Sequence, residues 1–215
     1  MYKKLQETYK KTQMHDYFPS YLLNNFMQFC LEQQHQNRKY LSPYKFANEN
    51  KLPVKDSIKF FLFLANEEPI LEIKYFFECS DITCGHRNFL SQDEIVELNG
   101  IDYSSIYCEE CEKQYNYNDI KPFIKVYFEV ILDENLNSDP NSTFDALEEM
   151  SSCVKVESPS FNSEKHNNAE STNEGDGNDG VQLQDLNNLN RTDNGEIISN
   201  QLQETLMAVY DFIKK

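Results

Sequence analysis

An α+β fold is predicted for this chain: three helices forming a winged-helix module, a zinc ribbon, then a disordered acidic tail and a C-terminal amphipathic helix. Three observations predict it. Apolar residues recur at helical spacing in successive stretches between residues 17 and 65. A period-two apolar alternation follows over residues 71–77, as in a strand. Four of the six cysteines then fall in two short clusters flanked by aromatic, strand-like sequence.

The first helix is read from SYLLNNFMQFCLEQQ, where Leu22, Leu23, Phe26, Phe29 and Cys30 share one face. Cys30 is a core residue on that face, because an unpaired thiol there behaves as a small hydrophobe. In SPYKFANENKL, Ser42 supplies an N-cap and Pro43 the first helical position, where a missing N–H costs nothing. Pro53 opens the third helix, with Ile58, Phe61, Leu62 and Ala65 on its buried side. Leu71, Ile73, Tyr75 and Phe77 then alternate along a strand. Three helices and a strand is the order of a winged helix, the second and third helices making its helix-turn-helix. Residues 1–70 are accordingly one module and residues 71–132 a second.

The second module opens with FECSDITCGHRNF and continues, after a helix-like insertion, with YCEECEKQY. The pattern is C-x4-C, twenty-three intervening residues that begin Gly85-His86, then C-x2-C. Two thiolates two to four residues apart can share one zinc ion through a tight turn, and two such turns complete a tetrahedron. Cys79, Cys84, Cys108 and Cys111 are the predicted ligands of one structural Zn2+, with Gly85 suited to the first turn. His86 is an alternative fourth ligand should Cys79 fall short. A redox reading of Cys108 and Cys111 competes, but Glu109, Glu110 and Glu112 would raise a thiol pKa there rather than depress it. Four thiolates close the shell and leave no position for a catalytic water. Between the clusters Ser91 and Glu94 make a capping box, so SQDEIVELNG reads as a short helix ending at Asn99-Gly100.

Residues 133–195 are Asn-, Ser-, Asp-, Glu- and Gly-rich and are predicted to be a disordered acidic linker holding Cys153. In residues 196–215 an apolar stripe returns through Ile197, Ile198, Leu202, Leu206, Val209, Tyr210 and Ile213. A lone helix of this length is marginal in water, so it must dock, on its own domain, on a partner protein or on a second copy of itself.

Charge is unevenly distributed. Residues 1–60 carry a balance of +5, residues 61–135 one of −11 and residues 136–215 one of −10, within a net charge of −16. Such a chain repels phosphates overall, so nucleic-acid contact is expected only from the basic first third, through residues 40–60. The third helix of a helix-turn-helix offers its N-terminal residues to the major groove. Lys55, Ser57 and Lys59 stand there, with Lys45 and Lys51 nearby, although no arginine is present to read guanine. The bland alternative is a solvated helix face. The longest apolar run, FFLFLA, is far short of the roughly 20 residues that cross a bilayer. The N-terminus shows neither an apolar h-region nor a cleavage site, so a cytoplasmic chain is expected. In that reducing compartment clustered cysteines favour metal over disulfides.

The order of winged helix, zinc ribbon and acidic tail over residues 17–132 and beyond resembles the large subunit of the general transcription factor that opens promoters. Cys79, Cys84, Cys108 and Cys111 match as metal ligands, while the x4 spacing of the first knuckle differs from that family's x2. The order is equally similar to small winged-helix zinc-ribbon proteins of bacterial conflict and phage-defence operons. Both resemblances imply a non-catalytic accessory subunit. The expected function is therefore a zinc-stabilised adaptor within a larger complex, with a sequence-specific DNA-binding regulator as the alternative. An enzyme is disfavoured, since no Ser/His/Asp set, phosphate loop or small-molecule site is evident.

Overall fold

The computed structural model describes residues 1–66, 69–99, 105–131 and 180–210. Helix and sheet are both present, so the α+β class holds. Helices α1 (Tyr2–Lys11), α2 (Met14–Tyr17) and α3 (Tyr21–His35) lead to a short strand β1 (Tyr40–Leu41), then α4 (Pro43–Asn50) and α5 (Val54–Leu64). Strands β2 (Leu71–Glu78) and β3 (Arg87–Leu90) follow, then α6 (Gln92–Asn99), β4 (Ser105–Tyr107) and β5 (Gln114–Asn116). A turn of helix α7 (Tyr117–Ile120) and a 3-10 turn lead into β6 (Lys125–Val130). After residue 180 come β7 (Val181–Gln182), α8 (Leu183–Leu189) and α9 (Asn200–Tyr210).

Local chemistry accounts for the helix starts. Ser42 Oγ accepts the Lys45 N–H at the head of α4, with Pro43 at its first position. Ser91 and Glu94 satisfy one another's amides at 2.7 and 3.1 Å, the reciprocal capping box expected at α6. Gly100, the expected stop of α6, lies outside the described residues.

Five strands form one antiparallel sheet in the order β1-β6-β2-β3, with β7 also paired to β6. The predicted alternation holds: Leu71, Ile73, Tyr75 and Phe77 are buried on one face of β2. That face meets the helices. α5 is buried along its whole second half, and Phe61 packs edge-on against Phe128 of β6 at 5.3 Å. One hydrophobic cluster runs from Leu5 and Phe26 through Phe61 and Ile73 to Leu202 and Val209. At about 25 cal/mol per Å2, burial of this kind is the main force holding helices to sheet.

Three sequence-based boundaries move. Residues 1–70 and 71–132 do not separate at residue 70, because β1 of the first half pairs with β6 of the second and both halves share the cluster. Residues 181–189, inside the segment expected to be disordered, form β7 and α8, with Val181, Leu183 and Leu186 buried; residues 133–179 and Cys153 lie outside the described residues. Ile198, Leu202, Leu206 and Val209 of the C-terminal stripe pack into the chain's own core rather than waiting for a partner, and Tyr75 hydrogen-bonds Thr205 of α9 at 3.0 Å. Ile213 lies outside the described residues. Helices α1 and α2 precede the first helix that the apolar spacing predicts.

The opposite face of the sheet carries a second aromatic cluster. Tyr127 stacks between Tyr40 (4.8 Å) and Phe76 (4.3 Å), and Phe89 closes on Phe76 at 5.8 Å. Among the described residues no helix is long and apolar enough to cross a membrane.

Candidate metal centre

The first cysteine pair is carried by the β2–β3 hairpin and the second by the β4–β5 hairpin. Cys79 leaves the end of β2, and its N–H donates to the His86 carbonyl at 2.8 Å, which continues the ladder by one step. The connection then folds tightly: the amides of Cys84 and Gly85 both reach the Asp81 carbonyl, at 3.0 and 3.1 Å. Asp81 accepts from the Thr83 amide and hydroxyl, which stiffens the turn. In the second knuckle the Cys108 N–H donates to Lys113 and the Glu112 N–H donates back to Cys108, both at 2.9 Å. The residue after the second cysteine is left-handed in both turns, with φ of +57° at Gly85 and +58° at Glu112.

These two turns bring four sulfurs together. All four Sγ atoms of Cys79, Cys84, Cys108 and Cys111 lie within 4.8 Å of one another. Across the knuckles the sulfurs of Cys79 and Cys111 stand 3.6 Å apart and those of Cys84 and Cys108 3.7 Å apart. Zinc–thiolate bonds of about 2.3 Å at tetrahedral angles place sulfurs roughly 3.8 Å apart, whereas a disulfide needs about 2.05 Å. The four cysteines can hold one metal ion, and none of them is disulfide-bonded.

Hydrogen bonds prepare the sulfurs unequally. The Tyr115 hydroxyl, 3.0 Å from Cys79 Sγ, pulls that thiol down. Burial opposes ionisation of Cys108, but the amides of Cys111 and Glu110 and the side chain of Asn88 outweigh it and hold it at about 6. The His86 amide favours a Cys84 thiolate, yet burial and the three neighbouring sulfurs push it up to about 12. Four thiolates this close repel one another, so full ionisation of the set requires a cation at its centre.

His86 stays outside the cluster, with Nε2 3.7 Å from Glu109 Oε2, and Cys79 rather than His86 is the fourth member of the group that could hold a metal. Two supporting residues carried no sequence signal. Asn88, only 2% exposed, accepts the Glu109 amide at 2.8 Å and donates to the His86 carbonyl at 3.3 Å, linking the two knuckles. Tyr115 ties Cys79 to the second hairpin and packs on Phe77 at 5.5 Å.

The residues singled out for nucleic acid are not presented as one reading face. Ser57 is fully buried and donates to the Pro43 carbonyl at 2.7 Å, pinning α5 to α4, so it does not reach a base. Lys59 is mostly covered and pairs with Asp193 at 3.2 Å. Lys45 approaches Glu49 at 3.8 Å and lies over the Phe29 ring. Lys51, in the left-handed cap of α4, and Lys55 are exposed.

Fold and site together define a class: a mixed helix-and-sheet chain whose two hairpins bear a four-cysteine cluster able to hold a metal. No protein-family model matches the chain, and neither a curated protein nor a solved structure does.

Proposed function

We propose that the chain is a non-catalytic adaptor or regulatory subunit of a larger complex, built from a winged-helix-like helical layer and a zinc-ribbon-like pair of knuckles. The observation that carries this reading is the four-sulfur cluster. Zinc held by four thiolates has no coordination position left for a reacting water, so its contribution is to fix the two hairpins. The acidic composition supports protein rather than nucleic acid as the partner, since a chain of net charge −16 repels phosphate.

Co-purification of the tagged chain from its native cells tests the reading, with Cys108→Ser as the metal-site control. Stoichiometric partners are expected with the wild-type chain and loss of them with the variant. A chain that purifies alone, fully zinc-loaded, overturns it. DNA binding is the weaker reading. It rests on exposed Lys51 and Lys55, and predicts a gel shift that fades steeply with salt and with their replacement by glutamine.

A further inference from the structure

The four sulfurs of the cluster are not equally sheltered. Cys108 is 1% exposed and Cys79 5%, Cys84 is half-buried, and Cys111 stands at the surface. A thiol reacts with an oxidant only where the oxidant can reach it, so Cys111 is the point of attack.

A second sulfur waits within reach on the other hairpin. Cys111 Sγ lies 3.6 Å from Cys79 Sγ, and Cys84 Sγ lies 3.7 Å from Cys108 Sγ. Both pairs join one hairpin to the other rather than the two ends of one knuckle. A disulfide of about 2.05 Å asks each pair to close by roughly 1.5 Å. Strands β4 and β5 can yield that far, being three residues long and paired with no other strand among the described residues.

We propose that the cluster is a peroxide-responsive exchange site, at which two disulfides between the hairpins, Cys79–Cys111 and Cys84–Cys108, take the place of the metal ion. The proposal rests on the metal reading of the cluster and gives it a mode of regulation. The Cys111 sulfur takes one oxygen of hydrogen peroxide as the O–O bond breaks; with a proton taken up, water leaves and a sulfenic acid remains. The Cys79 sulfur then attacks Cys111, the S–S bond forms and the S–O bond breaks, releasing a second water. Cys84 and Cys108 repeat the sequence. In sum, four metal-held thiolates, two peroxides and four protons give two disulfides, four waters and a free divalent ion.

The outcome differs from that of metal loss alone. Bonds between the hairpins keep the second knuckle tied to the end of β2, so the oxidised chain gives up its metal without loosening β4–β5.

The zinc-loaded full chain, treated with hydrogen peroxide beside a chromogenic chelator, tests this. About one zinc ion leaves for every two peroxides reduced, and dithiothreitol with added zinc restores the starting state. Peptide mass mapping of the oxidised chain finds Cys79 joined to Cys111 and Cys84 to Cys108. Amide exchange supplies an independent measurement: Cys108 and Glu112 exchange about tenfold more slowly in the oxidised chain than in the reduced, chelated one. Zinc retained under millimolar peroxide overturns the proposal and leaves the metal reading standing. A Cys108–Cys111 bond within one knuckle overturns it, as do sulfinic acids in place of disulfides, or equal exchange in the oxidised and chelated chains. A chain that takes up no zinc yet forms both disulfides sinks the metal reading and the exchange together.

Discussion

Glu112 and Gly85 occupy equivalent places, each directly after the second cysteine of its knuckle and each at φ near +58°. A residue with a Cβ costs roughly 1–2 kcal/mol in that region, whereas glycine enters it freely. Glu112→Gly is therefore expected to stabilise the chain by about 0.5–1 kcal/mol once the larger unfolded-state entropy of glycine is set against the strain. Gly85→Ala is expected to cost about 1 kcal/mol, purely through the backbone, since an added Cβ meets nothing within 4 Å. Urea denaturation of the two variants checks both signs, and a Glu112→Gly variant less stable than wild type would refute the equivalence. Tyr115 supports the four-cysteine cluster through Cys79 and the Ser80 amide, at 3.0 Å from each. Its replacement by phenylalanine keeps the contact with Phe77 and removes only the hydroxyl. Loss of such a supporting hydrogen bond typically weakens metal affinity by about 10- to 100-fold. Cobalt substitution with a competing chelator measures it; an affinity within twofold of wild type would exclude the role.

At the scale of elements, the C-terminal segment is held to the sheet at a point of very close approach. Gly180 lies so near β6 and the outer aromatic cluster that an added Cβ would stand 2.6 Å from the Phe76 ring and 2.8 Å from the Val126 carbonyl. Phe76 is stacked on Tyr127 at 4.3 Å and has little room to yield. Gly180→Ala should cost about 1–3 kcal/mol, as overpacking does elsewhere, and a melting midpoint equal to wild type would show the approach to be looser than described. Nothing local announces this contact. Gly180 sits at the end of an acidic, glycine-bearing run with no apolar periodicity, and β7 is two residues long, so its pairing to β6 is a tertiary event. The elements that were legible carried their own cause: Ser42-Pro43 and the Ser91/Glu94 box for helix starts, alternation for β2, sulfur spacing for the knuckles. Helix α1 escaped because only Leu5 and Thr8 on it are buried, too few to set a period. Ser57 was misplaced for a related reason: helix-turn-helix position alone suggested an exposed hydroxyl, while the carbonyl of Pro43, fourteen residues away in sequence, claims it. Asn88 and Tyr115 support the cluster from across a hairpin, and such pairings have no signature at short range.

For the whole molecule, the decisive relation is between the four-cysteine cluster and the single core. The sulfurs lie at the far ends of two hairpins, one of which, β4–β5, has strands of only three residues and pairs with no other strand among the described residues. A two-stranded hairpin is marginal by itself; β4–β5 is tied down by the packing of Ile106 and Tyr115 on the core, and a metal at the four cysteines would add to that. The remaining sheet and α3–α5 share an aromatic core in which Phe26, Phe46, Phe60 and Phe61 lie within 5.8 Å of one another along successive contacts. Structural zinc in finger peptides contributes on the order of 10 kcal/mol at neutral pH, but here part of the fold stands without it. Chelation is therefore expected to act in two tiers. The amides of Cys108 and Glu112 lose their exchange protection first, as the knuckle turns open. The amides in the second half of α5 stay protected, and the melting midpoint falls while the transition remains single, because helices and sheet cannot separate without exposing the shared cluster. Cys111→Ser should reproduce the chelated state without added chelator. An unchanged melting curve after complete metal removal would show that the cluster does not stabilise the fold, and two separate melting transitions would show that the helical and sheet halves are distinct domains after all.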